Sequence, residues 1–212
     1  MDSIKSITYL ALFLFSFTCL SQTKTIVLYN EDGTTLTKEQ FLTSSRLKDK
    51  FSVYYENDTI KYGIVLNRIK FGTISPSTFS ELKNYLTQLS GTPILAEQNI
   101  VINYLNKTPL TSQNKQPKSS WNVLDRDYTK GLHRIADIRQ FWIYHPETDE
   151  LDYYQKNNIN WISDTANFFK STFFPFDVRY ANYLLIKPDG SYFYQLSEHS
   201  KYTIWDRAKS FF

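Results

Sequence analysis

Side chains that could do chemistry are sparse in this 212-residue sequence. Three histidines, His133, His145 and His199, stand far apart, and none has a second histidine or a cysteine at ligand spacing. Zinc needs three or four converging N, S or O ligands, so no metal and no cofactor is expected. His145 is the most informative of the three. It follows the apolar run 141–144 (FWIY), and α/β folds bind ligands at the carboxyl ends of their strands. Carboxylates cluster as Asp125 with Asp127, and as Glu147, Asp149, Glu150 and Asp152. Paired carboxylates can run general acid–base chemistry where a cleft raises one pKa; otherwise they are solvated turn and helix-start charges, which is the stronger reading here. No G-x-S-x-G, H-E-x-x-H, Walker-type or G-x-G-x-x-G motif occurs, and six glycines leave little room for a phosphate cradle. Asn57-Asp58-Thr59 and Asn106-Lys107-Thr108 match the glycosylation tripeptide.

Charge and composition exclude further classes. The formal net charge is +3 with both signs interspersed from end to end, unlike the basic stripe that a phosphate backbone requires, so nucleic acid is not an expected partner. Residues 7–20 (ITYLALFLFSFTCL) form an apolar run too short to span a bilayer comfortably, preceded by Lys5 and followed by Ser21-Gln22. They read as a secretory signal over residues 1–21, cut before Gln22. Cys19, the only cysteine, would leave with it, and the mature chain would be cysteine-free and periplasmic or extracellular. The alternatives are a lipid anchor on Cys19 and an uncleaved N-terminal anchor; contact with a membrane is expected only through this segment. Hydrophobic residues make up 42% of the sequence and aromatic ones 17%, enough for a core that holds without disulfides and favouring strands.

Several elements can be placed. Residues 25–29 read as a strand, and Thr37 with Gln40 gives a capping box for a helix towards Asp49, with Phe41, Leu42 and Leu47 inward. Residues 52–55 and 59–65 read as a hairpin, with a helix over 60–69 as the alternative. Ser75-Pro76 opens a strongly amphipathic helix with Phe79, Leu82, Leu86 and Leu89 on one face and a Thr78–Glu81 box, stopped at Gly91-Thr92-Pro93. Residues 100–105 (IVINYL) and 141–144 are continuous apolar runs suited to buried parallel strands. Trp121, Leu124, Tyr128, Leu132, Ile135 and Ile138 recur at helical spacing, which predicts a crossover helix, although Gly131 weakens it by about 1 kcal/mol relative to alanine. A short helix is expected at 149–157, a strand at 160–162, a helix at 165–174 and a terminal helix at 202–211. The polar, proline-containing stretch 108–120 reads as a surface loop. The clearest signal is at 183–196, where YLLI and a second alternating run flank Lys187-Pro188-Asp189-Gly190, which is a tight hairpin turn.

A Phe-rich helix, a loop, YLLI, PDG and an antiparallel partner strand resemble the C-terminal half of the thioredoxin-like superfamily, which adds this hairpin to a parallel βαβ unit. The resemblance covers roughly residue 94 to the C-terminus. It implies an α/β fold: a thioredoxin-like mixed sheet with flanking helices over residues 94–212, with residues 22–93 as an N-terminal α+β elaboration packed on the same core. Redox-active members place C-x-x-C after the first core strand, where this chain has Asn106-Lys107-Thr108-Pro109. Members also carry a cis-proline before the hairpin, where this chain has Tyr180, Ala181 and Asn182 and an ordinary trans peptide is expected. The resemblance therefore implies a non-catalytic binding or interaction module without thiol–disulfide activity. Its partner would be a protein or small ligand, held at the sheet end formed by Asn106, Lys107, Thr108, Pro109, Tyr180, Ala181 and Asn182, with His145 nearby. The alternatives are an enzyme using polar groups around His145, and a subunit of an envelope assembly.

Overall fold

The computed structural model describes residues 24–107, 119–148, 151–178, 181–197 and 199–212. The expected leader and most of the 108–120 loop lie outside the described residues. Among them, no helix is long and apolar enough to cross a membrane.

The chain opens with a small βαββ unit: β1 (Thr25–Asn30), α1 (Lys38–Ser45), β2 (Lys50–Glu56) and β3 (Ile60–Asn67). In its sheet β3 is central, parallel to β1 and antiparallel to β2. The capping box forms as the sequence predicts, with Thr37 Oγ1 accepting from Gln40 N at 3.2 Å and Gln40 Oε1 accepting from Thr37 N at 2.9 Å. Only Phe41 of α1 is buried; Leu42 and Leu47 are exposed, because a helix of two turns on a three-stranded sheet has one narrow inward stripe.

After Arg68 the chain continues directly into β4 (Ile69–Thr73), then α2 (Pro76–Ser90), β5 (Asn99–Leu105), a 3-10 turn (Asn122–Leu124), α3 (Tyr128–His133), β6 (Ile138–Tyr144), β7 (Trp161–Ser163), α4 (Phe168–Thr172), β8 (Ala181–Ile186), β9 (Ser191–Gln195) and α5 (Lys201–Phe211). These strands form a six-stranded sheet in the order β4-β9-β8-β5-β6-β7. β5, β6 and β7 run parallel, while β8 is antiparallel to both β5 and β9. A parallel pair joined by a crossover, with an antiparallel hairpin added beside its first strand and a helix after it, makes a mixed α/β sheet with flanking helices.

Both faces are covered. Ile100, Ile102 and Tyr104 of β5 enter one core with Leu82 and Leu86 of α2, Phe169 of α4, Phe174, and Val53 and Leu66 of the small sheet. Val101 and Leu105 enter the other, with Leu124, Tyr128, Leu132, Ile204 and Ala208. This two-sided burial is why the strands read as continuous apolar runs. Asn103 interrupts the run and is fully buried; its Nδ2 donates to the Tyr128 hydroxyl at 3.0 Å, and that hydroxyl lies 3.1 Å from Oδ1.

The hairpin follows its turn chemistry. Gly190 has φ +83°, donates its N–H to Lys187 O at 3.0 Å, and accepts from Ile74 N at 2.9 Å. Helix α2 is capped by Ser75, whose Oγ accepts from Thr78 N at 3.2 Å in place of the expected Thr78–Glu81 box, and ends on Gly91 at φ +67°. The predicted crossover helix at 121–138 is instead a 3-10 turn, a six-residue helix and the first residue of β6. Turn bonds from Asp125 N to Asn122 O and from Tyr128 N to Asp125 O break the helical ladder. The segment expected as a helix at 149–157 shows turns over its described part.

Candidate functional site

At the carboxyl end of the sheet, Leu105 is paired with Tyr144 on one side and Ala181 on the other. The chain leaving β5 therefore supplies Asn106 and Lys107, the chain leaving β6 supplies His145, and β8 begins with Ala181 and Asn182. The structure brings these sequence candidates together; Thr108, Pro109 and Tyr180 lie outside the described residues.

Burial divides the group. Asn106, Ala181, Asn182 and His145 are buried, whereas Lys107 is exposed. Asn182 Nδ2 donates to Asn106 Oδ1 at 3.1 Å, and Asn182 Oδ1 accepts from Ser197 N at 3.1 Å, holding Ser197 in the left-handed region at φ +56°. Thr148 Oγ1 donates to Asn106 O at 3.2 Å. These amides are engaged in bracing the strand ends, and the exposed charge beside them is the Lys107–Glu147 ion pair.

His145 continues the ladder, its N–H reaching Leu105 O at 2.9 Å, and its Nδ1 accepts from Glu147 N at 3.1 Å. A neutral imidazole that accepts at Nδ1 carries its proton on Nε2 and is a donor there. Burial and then the Lys170 charge hold its pKa below the usual histidine value, against the opposing pull of Asp177 and Glu147. His145 is thus uncharged at neutral pH. Lys170 and Asp177 are themselves ion-paired, and Asp177 N donates to the Tyr55 hydroxyl of the small sheet at 2.9 Å.

Beneath this group lies Asp164, fully buried, which the sequence reading did not single out. Its Oδ1 accepts from Tyr85 Oη at 2.9 Å and Phe168 N at 2.9 Å, and its Oδ2 from Phe169 N at 3.0 Å and Lys170 N at 3.2 Å. It closes the amino end of α4, where N–H groups lack intrahelical partners. An aspartate shortly before an aromatic helix start was the available signal. The Tyr104 hydroxyl, close by, is buried without a hydrogen bond; burial first, then the Asp164 and Asp177 charges, raise its pKa far above the ordinary phenol value. Among the described residues, no group of three or more His, Cys, Asp or Glu is placed to hold a metal ion. His133 is exposed near the end of α3, and His199 lies just before α5, its ring against those of Trp121 and Tyr183.

A second concave feature opens at the other part of β6. β7 pairs only with Trp142–Tyr144, so the edge at Arg139 and Gln140 faces a cleft of about 690 Å³ whose lining includes Arg126, Trp142, Asn158 and Asn160. No motif marks it; its one trace in the sequence is the amide-rich stretch 155–160.

No family model matches the chain, and no curated protein matches it. Among solved structures, the chain is similar to MTB DsbF in its mixed oxidised and reduced forms. The two are 12% identical with a TM-score of 0.36, over 54% of this chain and 81% of that one. The strand order and directions described above make the fold α/β.

Proposed function

We propose that the protein is an exported, non-catalytic thioredoxin-like module that binds a protein or small ligand and has no thiol–disulfide activity. One observation carries the reading. Where a redox-active member would place its cysteines, this chain has Asn106 locked onto Asn182, and its single cysteine lies at position 19. Dithiol exchange needs a thiolate attacking a disulfide sulfur, and the described sheet end offers only amides, an imidazole and an ion pair. The Nδ1-accepting tautomer of His145 makes it a hydrogen-bond donor, which favours binding over proton abstraction. Export rests on the leader-like residues 1–21.

The test is a cross-linked pull-down from envelope extracts with the chain from Gln22 onward, alongside a variant substituted at 106–109. A specific partner lost in the variant is the expected result. Turnover of a dithiol substrate above buffer background would overturn the proposal.

A further inference from the structure

The backbone of β6 directs alternate peptide groups to opposite sides. Asp137 O accepts from Asn99 N at 3.0 Å, and His145 N donates to Leu105 O at 2.9 Å, so the odd-numbered groups face β5. Tyr144 O accepts from Asp164 N at 2.9 Å on the other side, where β7 lies. By this alternation the N–H and C=O of Gln140 face away from β5, into the cleft. β7 begins too late to meet them: its first residue, Trp161, pairs with Trp142, and the preceding loop folds on itself, with Trp161 N bonded to Ile159 O at 2.9 Å. Among the described residues, the Gln140 backbone has no hydrogen bond on that side. Its side-chain Nε2 is also buried and unpartnered.

An unpaired strand edge is a template for another strand. The cleft that exposes this one is walled on both faces of the sheet. Gln140 and Trp142 project with Leu124 and Arg126 on the α3 side, while Arg139 and Phe141 lie with Ser90 on the other. Arg126 and Arg139 have no carboxylate partner among the described residues, and the nearby Asp125 is engaged by Lys201. A strand laid in the gap would send successive side chains to the two faces, one towards each arginine.

We propose that this cleft takes an extended peptide segment of a partner protein, which pairs with the β6 edge at Gln140 and presents carboxylate side chains to Arg126 and Arg139. Main-chain bonds would supply register and the arginines selectivity, as in other cases of strand addition. The site lies away from the sheet end containing Asn106 and His145, so it stands or falls independently of the binding surface proposed there.

The experiment pans a phage-displayed random dodecapeptide library on the purified chain and measures the enriched peptides by fluorescence anisotropy. The expected outcome is enrichment of acidic sequences whose affinity falls with salt and drops at least about tenfold in Arg126→Glu/Arg139→Glu. Gln140→Pro removes the outward N–H and spares the β5 ladder, a substitution that edge strands tolerate, and should weaken binding similarly with an unchanged melting temperature. Should that variant fail to fold, amide exchange decides: the Gln140 N–H of the unaltered chain should gain protection when peptide is added. No enrichment, enrichment of uncharged or basic sequences, binding indifferent to the charge reversal, or an unprotected Gln140 amide would overturn the proposal. So would concentration-dependent self-association that Arg126→Glu/Arg139→Glu abolishes, since the occupant would then be a second copy of this chain.

Discussion

His199 illustrates how a titratable group can be structural. Its ring lies 5.2 Å from that of Trp121 and 4.8 Å from that of Tyr183, and both ring nitrogens are shut off from solvent without a partner. Although the residue keeps some exposed surface, burial of the ring holds its pKa down to about 3, with the Ser197 backbone pulling slightly the other way. In the unfolded chain it returns to about 6.5. The unfolded state therefore takes up the proton first. The stability this residue contributes is complete above pH ~6.5 and declines as pH falls towards 3. Thermal melts of the unaltered chain and His199→Phe across that window should show a shallower acid slope in the variant; identical slopes would refute the assignment. Gly131 poses a contest of magnitudes. Alanine would gain about 1 kcal/mol of helix propensity, yet a Cβ there would sit 2.2 Å from the Trp205 ring, whose Nε1 donates to Tyr128 O at 3.1 Å. Overpacking costs about 1 to 3 kcal/mol, so after that gain Gly131→Ala should lower stability in urea titration by up to about 2 kcal/mol, and a more stable variant would refute the clash. The sequence showed this glycine only as a weak point in a helix, because Trp205 lies far along the chain.

Elements whose signals are local were legible: the Pro188–Gly190 turn, the Ser75-Pro76 start and Gly91 stop of α2, and the apolar runs of β5 and β8. Residues 121–138 were not, since Trp121, Leu124, Tyr128, Leu132, Ile135 and Ile138 all reach or border one core, but through a turn, a short helix and a strand in succession. β4 left no pattern because its place is set by pairing with β9. The sheet-end cluster was foreseeable from strand ends alone, whereas the β6 cleft arises from where β7 happens to begin. Asp125 and Asp127, read as an acid pair or solvated charges, together clamp Lys201: its Nζ lies 2.8 Å from Asp125 Oδ2 and 2.7 Å from Asp127 Oδ1, and these bonds raise its pKa above the usual amine value. Lys201→Met should lower the melting temperature and speed amide exchange in α5; unchanged exchange there would show that the clamp is dispensable. Asp164→Ala strips α4 of its carboxylate and leaves the Tyr85 hydroxyl facing a void. A loss of about 2 to 3 kcal/mol in chemical denaturation is expected, and a double-mutant cycle with Tyr85→Phe should be non-additive.

At the scale of the molecule, the small sheet and the six-stranded sheet share a core. Val53 and Leu66 lie among the residues that cover β5 and α2, and partly buried Phe51 and Tyr55 pack beside them. A fragment of residues 94–212 would lack β4, α2 and this cover. It should fail to unfold cooperatively by circular dichroism, and a sharp transition near that of the full chain would show that the remainder folds alone.

Arg68 stands between β3 and β4. Its N–H is bonded to Asp49 O at 2.7 Å in the small unit and its carbonyl to Leu196 N at 2.8 Å beside the large sheet. A joint fixed on both sides within one residue is a weld rather than a hinge. The small sheet cannot swing as a lid over either candidate site, so both are preformed in the fold, with the two sheets tumbling and relaxing as one body.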